Sequence, residues 1–140
     1  MDCIFCKIIN GEIPAYKIYE DDKIMAFLDI NPYAPGHTLI IPKEHTLDIT
    51  TIPTVTLNHI MDKVKDIATL VTNKLDAPGF TLIQNNGFVQ EVKHFHLYLY
   101  ILDLLLLYQE INNLYNMFLH FLILFLLHRI KSCLAFAIFL

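Results

Sequence analysis

Two histidines and a tyrosine alternate along one short segment, which reads Val92-Lys93-His94-Phe95-His96-Leu97-Tyr98-Leu99-Tyr100. Side chains two residues apart point to the same side of a β-strand, so the pattern predicts a strand with His94, His96 and Tyr98 on one face. Imidazole groups transfer protons, act as nucleophiles and bind metals. The segment is therefore the first candidate for chemistry, and the alternative is a half-buried strand whose histidines only make hydrogen bonds.

A second group with chemical potential is the pair Cys3 and Cys6, spaced as Cys-x-x-Cys. With Cys133 as the remaining cysteine, the chain does not have the paired pattern of a disulfide framework. In a reducing compartment the pair favours metal binding or redox chemistry. Both alternatives stay open on spacing alone.

Further blocks accompany these residues in a fixed order along the chain. They are Cys3-Ile4-Phe5-Cys6-Lys7-Ile8-Ile9, Pro35-Gly36-His37-Thr38-Leu39-Ile40-Ile41-Pro42-Lys43-Glu44-His45 and Asn85-Asn86-Gly87. Together they resemble the histidine triad (HIT) family of nucleotide hydrolases and transferases, in its Hint-like bacterial branch with an N-terminal Cys-x-x-Cys. The resemblance extends from Cys3 to about Leu99.

The resemblance implies a reaction at phosphorus. His96 corresponds to the nucleophile that forms a covalent nucleotidyl-histidine, which water then hydrolyses. His94, Gln90 and Tyr98 complete the implied catalytic set. The implied substrate is a purine nucleoside phosphoramidate or a dinucleoside polyphosphate, and the family uses no cofactor in the chemical step.

Two departures from the family pattern bear on activity. Tyr98 stands where the family has its third histidine, and Glu91 stands where many relatives have Ser. A phenol donates one hydrogen bond, but its pKa near 10 prevents it from cycling protons at neutral pH as imidazole does. We therefore expect reduced turnover, and the alternative function is a catalytically impaired nucleotide-binding or adaptor protein.

The resemblance also assigns a nucleotide site. Asp29 corresponds to the acceptor of both ribose hydroxyls, and Phe27 and Ile30 to the walls around the base. Taken alone, Asp29-Ile30-Asn31-Pro32 would be read as a turn. The full implied set is Phe27, Asp29, Ile30, His37, Asn85, Gln90 and Val92, although His37 could also be a capping or surface residue.

A structural zinc site is the third implication. The family's Cys-bearing branch binds metal with two cysteines, the histidine after Lys-Glu and the first triad histidine, which are Cys3, Cys6, His45 and His94 here. Two thiolates and two imidazoles satisfy the four-ligand requirement of zinc, although the spacing differs from that of zinc fingers. Such a site would connect the N-terminal helix to the catalytic strand.

The spacing of apolar residues and the positions of helix- and strand-breaking residues predict the helices and strands that carry these side chains. Apolar residues three and four apart between Leu57 and Leu75 predict a long amphipathic helix, with Thr54 or Thr56 as its N-cap. The remaining predicted elements are a short helix over Cys3–Asn10 and strands over 16–20, 23–28, 38–41, 80–84 and 92–100. The sequence thus predicts an α+β domain over 1–100, with a HIT-like antiparallel five-stranded sheet, one long helix and one short one. The resemblance implies a homodimer that pairs through the long helix and the sheet.

Residues 101–140 form an atypical apolar tail whose only charged side chains are Asp103, Glu110, Arg129 and Lys131. Interspersed Asn and His side chains argue against a clean transmembrane span. Three interpretations remain: a helix that contacts a membrane through residues 114–127, an extra core or dimer helix, or a segment translated out of the ancestral reading frame. The third accounts for the abrupt loss of family-like sequence beside Tyr98.

Overall charge limits the possible partners. The formal net charge is −4, so the charge count gives no support for electrostatic binding of nucleic acid, and we expect no nucleic-acid partner. The first residues lack the basic start and apolar core of a secretory signal, which predicts a cytoplasmic protein.

Overall fold

A computed structural model of the chain describes residues 2–101, 112, 115–120 and 122. The chain divides into two compact units, Met1–Leu102 and Asp103–Leu140. The first contains helices α1 (Ile4–Ile9) and α2 (Thr54–Leu75), strands β1 (Lys17–Glu20), β2 (Ile24–Leu28), β3 (Thr38–Pro42), β4 (Thr81–Gln84) and β5 (Leu97–Tyr100), and a 3₁₀ turn at Gly87–Val89.

In the second unit, the described residues 112, 115–120 and 122 are helical. The segment predicted to contact a membrane, 114–127, lies only partly within the described residues, and the rest of the tail predictions fall outside them. Among the described residues, no helix combines the length and the apolar character needed to cross a bilayer.

The five strands form one antiparallel sheet in the order β1-β2-β3-β5-β4. This confirms the predicted α+β fold with one long and one short helix. Strand β5 lies between β3 and β4, with Tyr98 opposite Leu39 on one side and Ile83 on the other. The strand that carries Tyr98 is therefore held by neighbours on both edges.

Alternation along the central strands gives each face of the sheet its own core. Ile24 and Ala26 of β2 point toward α2, while Met25 and Phe27 point toward α1. The α2 face is filled by residues at helical spacing, namely Ile60, Val64, Ile67, Ala68 and Val71. Phe5 and Ile8 of α1 cover the opposite face, and the functional residues gather on this second side.

Two local predictions were wrong. Helix α2 has Pro53 at its N-cap and no side-chain cap, because Thr54 is already helical and the Pro53 carbonyl accepts the first backbone bonds. Strand β5 begins at Leu97, not at Val92. The backbone N–H of Phe95 donates to the Thr46 carbonyl at 2.6 Å, so this stretch bonds to a loop rather than to a neighbouring strand.

Candidate functional site

Four potential metal ligands converge where α1 begins and where the chain leaves β3 and approaches β5. The ligand atoms of Cys3, Cys6, His45 and His94 all lie within 4.8 Å of one another. Cys6 Sγ is 3.3 Å from His45 Nδ1, and Cys3 Sγ is 3.6 Å from His94 Nδ1. The sequence predicted this set, and its donor atoms are close enough for all four residues to hold one metal ion.

The orientation of His94 favours metal binding. Its Nε2 lies 2.9 Å from the Pro42 carbonyl, which can only accept, so Nε2 carries the proton and donates. Nδ1 then presents a lone pair to the two thiols. Burial lowers the pKa of His94 to about 4, despite the opposing effect of the Pro42 bond, so the imidazole is neutral as a metal ligand must be. This donor set fits tetrahedral zinc.

The same His94 residue orients His96 through its backbone. His96 Nδ1 donates to the His94 carbonyl at 2.6 Å, and Gln90 Nε2 donates to that carbonyl at 3.0 Å. Because the carbonyl only accepts, the proton of neutral His96 is on Nδ1 and the lone pair is on Nε2. Within the described part of the chain, His96 Nε2 is buried and has no hydrogen-bond partner.

The electrostatic surroundings keep His96 neutral. The side chain is fully buried, and this burial lowers its pKa, against smaller opposing effects of the His94 carbonyl and the charges of Glu91 and Asp29. A neutral imidazole with one free ring nitrogen is the form that can attack an electrophile. The geometry therefore gives His96 the state that a nucleophile needs.

A cavity of about 360 Å³ lies beside this histidine. Four residues predicted for the nucleotide site meet in its wall, namely Phe27, Asp29, Ile30 and Val92, together with Tyr98 of the predicted catalytic set. Asp29 Oδ1 accepts the Asn31 N–H at 2.8 Å, so the predicted turn is present as well. One residue thus both shapes the loop and presents a carboxylate to the cavity.

Two aromatic side chains separate His96 from this cavity. The ring of Tyr98 packs edge-on against His96 with centroids 4.6 Å apart, and Phe5 does the same at 5.3 Å. Both line the cavity, whereas His96 does not. Phe5 and Tyr98 therefore each contact the His96 ring and line the neighbouring cavity.

His37 is buried at the entrance to β3. The Tyr33 N–H donates to His37 Nδ1 at 3.2 Å, which places the imidazole proton on Nε2. Asp29 Oδ2 lies 3.6 Å from Nδ1, but burial has the larger effect and lowers the pKa of His37. The surface interpretation does not fit a side chain that is this enclosed, whereas the bond to the Tyr33 N–H is a local capping contact.

The backbone before His37 requires glycine. Gly36 has φ +71, and a Cβ there would lie 2.7 Å from Leu75 and 2.8 Å from Val71 of α2. The close approach of the end of α2 thus sets where β3 begins, and with it the position of His37.

The remaining predicted residues lie apart from this cavity. Gln90 is buried and donates to the Leu47 carbonyl at 2.7 Å as well as to His94, so its amide holds two loops together. Asn85 lines a second cavity.

Sequence reasoning did not single out Phe5, Tyr33 or Tyr100 for the site. Phe5 lies between the two cysteines, which was its one available signal. The partly exposed side chain of His59 places Nε2 2.8 Å from Asp21 Oδ2, to which it donates.

Comparison with known proteins identifies the family. The family model described as HIT domain matches residues 10–100. The chain is 48% identical over 99 residues to an uncharacterized HIT-like protein of Methanocaldococcus jannaschii, a match covering 69% of this chain and 76% of that protein. It is 43% identical over 103 residues to the adenosine 5′-monophosphoramidase HNT1 of Candida albicans, covering 69% and 68%.

The solved structures agree with this match. A Zn-bound histidine triad family protein from Mycobacterium smegmatis superposes with a TM-score of 0.69 at 39% identity, covering 72% of this chain and 75% of that one. The chain belongs to the HIT family, as the resemblance predicted.

Proposed function

We propose that this protein is a nucleotide hydrolase or transferase of HIT type, which cleaves a purine nucleoside phosphoramidate or a dinucleoside polyphosphate through a nucleotidyl intermediate on His96. The observation that carries the proposal is the tautomer of His96, whose Nδ1 proton is held by the His94 carbonyl while Nε2 stays free. The Candida albicans relative, an adenosine 5′-monophosphoramidase, supports the phosphoramidate as the first substrate to test.

The reaction proceeds in two steps. The base binds between Phe27 and Ile30, and Asp29 accepts hydrogen bonds from the ribose hydroxyls. His96 Nε2 then attacks phosphorus, a new N–P bond forms, and the bond to the leaving amine breaks as that amine takes up a proton from solvent water. Water next attacks phosphorus, the N–P bond breaks, and the nucleoside monophosphate leaves with Nε2 free again. The His94 carbonyl stabilises the cationic ring between the steps, because Nδ1 keeps its proton.

Zinc is the metal we propose for Cys3, Cys6, His45 and His94. Two sulfur and two nitrogen donors match its preference, and the Mycobacterium smegmatis relative is Zn-bound. When bound, the metal would have a structural role, because it would connect α1 to the His94 backbone that orients His96. Cys3 and Cys6 are free thiols, which suits the reducing cytoplasm that we propose as its compartment.

A homodimer is the assembly we propose. Strand β4 is an edge of the sheet. Exposed apolar side chains include Met61 and Leu70 on α2, Ile83 on β4 and Phe80 directly before β4. Exposed apolar surface of this kind is typical of self-association. Sedimentation velocity should give twice the 16.3 kDa mass of the chain, and a monomer at micromolar concentration would contradict the proposal.

The catalytic proposal is tested by release of AMP from adenosine 5′-phosphoramidate. Wild type should turn over, and His96→Ala should lose turnover while keeping the circular dichroism spectrum of the folded protein. Equal rates for the two proteins would show that His96 is not the nucleophile.

A second candidate is a nucleotide-binding protein with little turnover. The observation that favours it is the packing of Phe5 and Tyr98 against His96, which separates the imidazole from the cavity. Saturable binding of AMP without hydrolysis of the phosphoramidate would support this candidate over the enzyme.

A further inference from the structure

A second cavity, of about 230 Å³, shares Tyr98 in its wall with the first cavity. Its wall is made of three tyrosines, one carboxylate, one amide and one aliphatic side chain: Tyr33, Tyr98, Tyr100, Glu91, Asn85 and Ile83. None of these described wall residues carries a positive charge. Aromatic faces and a carboxylate around one space are the combination that recognises organic cations.

The three tyrosine rings are held by a common neighbour. The ring of His37 lies 5.7 Å from Tyr33, 5.5 Å from Tyr98 and 5.5 Å from Tyr100, measured between centroids. His37 is buried and fixed by the backbone of Tyr33, so it forms a stable base for the three rings. Tyr98 and Tyr100 are half-buried against this base, whereas Tyr33 is exposed at the rim of the cavity.

Glu91 gives this cavity an exposed negative charge. Glu91 forms no ion pair with any residue that the structure describes, and the nearby Lys93 donates instead to the carbonyl of Gly87. After burial, the charges of Glu91 and Asp29 are the main causes that raise the pKa of Tyr98. A cation entering the cavity would relieve this negative potential.

The two cavities adjoin each other. Tyr33, Glu91 and Tyr98 line both of them, so a leaving group bonded to the phosphorus of a nucleotide in the first cavity would be within reach of the second. We infer that the second cavity is a subsite for an organic ammonium group carried by the leaving group of the substrate. The inference rests on the proposed function and makes Glu91, Tyr98 and Tyr100 residues that determine specificity.

The binding test uses tetramethylammonium alone, which needs no turnover. The full chain is titrated with tetramethylammonium chloride at constant ionic strength against sodium chloride, and tyrosine ring resonances are followed by NMR. Tyr100→Leu and Glu91→Gln should each weaken binding at least about fivefold. The matched controls, Tyr16→Leu and Glu12→Gln, change exposed residues that do not line the cavity and should bind like wild type.

The kinetic test compares two adenosine phosphoramidates of equal length, one whose amine ends in an ammonium group and one that ends in a methyl group. We expect kcat/KM to favour the ammonium substrate by about tenfold, and Glu91→Gln to reduce that ratio toward one. Saturable cation binding that the cavity variants lose supports the subsite, and its absence in folded wild type overturns it. If the cation binds but neither substrate is cleaved, the proposed function fails while the cation site stands. If both are cleaved equally and no cation binds, only this inference fails.

Discussion

At the scale of single residues, the central feature is one backbone carbonyl that accepts hydrogen bonds from two side chains. The His94 carbonyl accepts from His96 Nδ1 and from Gln90 Nε2, so the loop itself selects the tautomer of the proposed nucleophile. The sequence predicted His96 through the family pattern. It could not predict the partner, because any backbone carbonyl can serve and only the folded loop decides which one does.

Replacing Tyr98 should reveal how much the tyrosine limits turnover. In Tyr98→His, an imidazole that can exchange protons near pH 7 replaces a phenol whose pKa is raised by burial. We expect kcat/KM for adenosine 5′-phosphoramidate to rise by about 10- to 100-fold, while the dissociation constant for AMP changes less than about threefold. Unchanged kinetics in a folded variant would show that Tyr98 does not limit the reaction.

The carboxylate of Asp29 provides a second prediction at this scale. Asp29→Asn keeps an oxygen that can accept the Asn31 N–H, so the turn should persist, but the charge that faces the cavity is lost. Because hydrogen bonds to a charged group contribute about 1.5–3 kcal/mol, AMP affinity should fall roughly 10- to 100-fold. Isothermal titration calorimetry measures this, with Asp22→Asn as the control. Wild-type affinity in Asp29→Asn would contradict the ribose assignment.

At the scale of elements, local patterns predicted the helices and strands where periodicity and packing agree. The buried face of α2 and the pairing of β2 with β3 follow the spacing of their apolar residues. Residues 92–96 of the predicted last strand alternate in polarity as a strand would, but they lie outside β5. There, Phe95 bonds to Thr46 and His94 bonds to Pro42, so contacts distant in sequence prevail over a local strand preference.

The turn between β1 and β2 depends on Asp21. One carboxylate oxygen accepts the N–H groups of Lys23 and Ile24, and the other accepts from Tyr19 and His59, all at 2.8 Å. Burial raises the pKa of Asp21, but these hydrogen bonds outweigh it and hold the pKa well below its usual range. The turn is therefore fastened to α2 through His59.

This arrangement predicts a stability difference that depends on pH. Asp21→Asn should lower the free energy of unfolding by about 1–3 kcal/mol at pH 7. Because the folded-state pKa is depressed, the contribution of Asp21 is complete above about pH 4, where the unfolded carboxyl is ionised, and it is lost as the pH falls below that value. Urea unfolding between pH 7 and pH 2 should show the gap narrowing below pH 4. A gap that is constant over this range, or one equally large in Asp22→Asn, would contradict the role of the carboxylate.

At the scale of the whole molecule, the metal ligands join parts of the chain that are far apart in sequence. Cys3 is the N-cap of α1 and Cys6 lies within that helix, whereas His45 and His94 belong to the loops next to β3 and β5. The family resemblance predicted these four residues. Their spacing alone could not have done so, because it matches no simple zinc-finger pattern. Their convergence depends on the sheet, which places the end of β3 beside the start of β5.

Metal removal should therefore weaken the fold. Chelation should lower Tm by several degrees, and added zinc should restore it, because metal bound only in the folded state stabilises that state. Cys6→Ser should lose metal by elemental analysis, whereas Cys133→Ser should retain it. An unchanged Tm after complete removal of the metal would exclude a structural role.

The family match ends at residue 100, and beyond it the sequence pattern selects no single structure. Up to that residue, the motifs and the apolar periodicity predicted the fold, and the motifs named the candidate site residues. The three interpretations of residues 101–140 remain predictions, because an apolar composition alone is compatible with a packed helix, a membrane surface or a shifted reading frame.

Trapping the covalent intermediate tests directly whether His96 is the nucleophile. Wild-type protein is mixed with adenosine 5′-phosphoramidate in a single turnover and quenched in base, which preserves a P–N bond, and its intact mass and peptides are then measured. We predict the addition of one adenylyl group on the peptide that contains His96, and no addition in His96→Ala. AMP release without any adduct on His96, or an adduct on another residue, would show that the reaction does not pass through a nucleotidyl intermediate on His96.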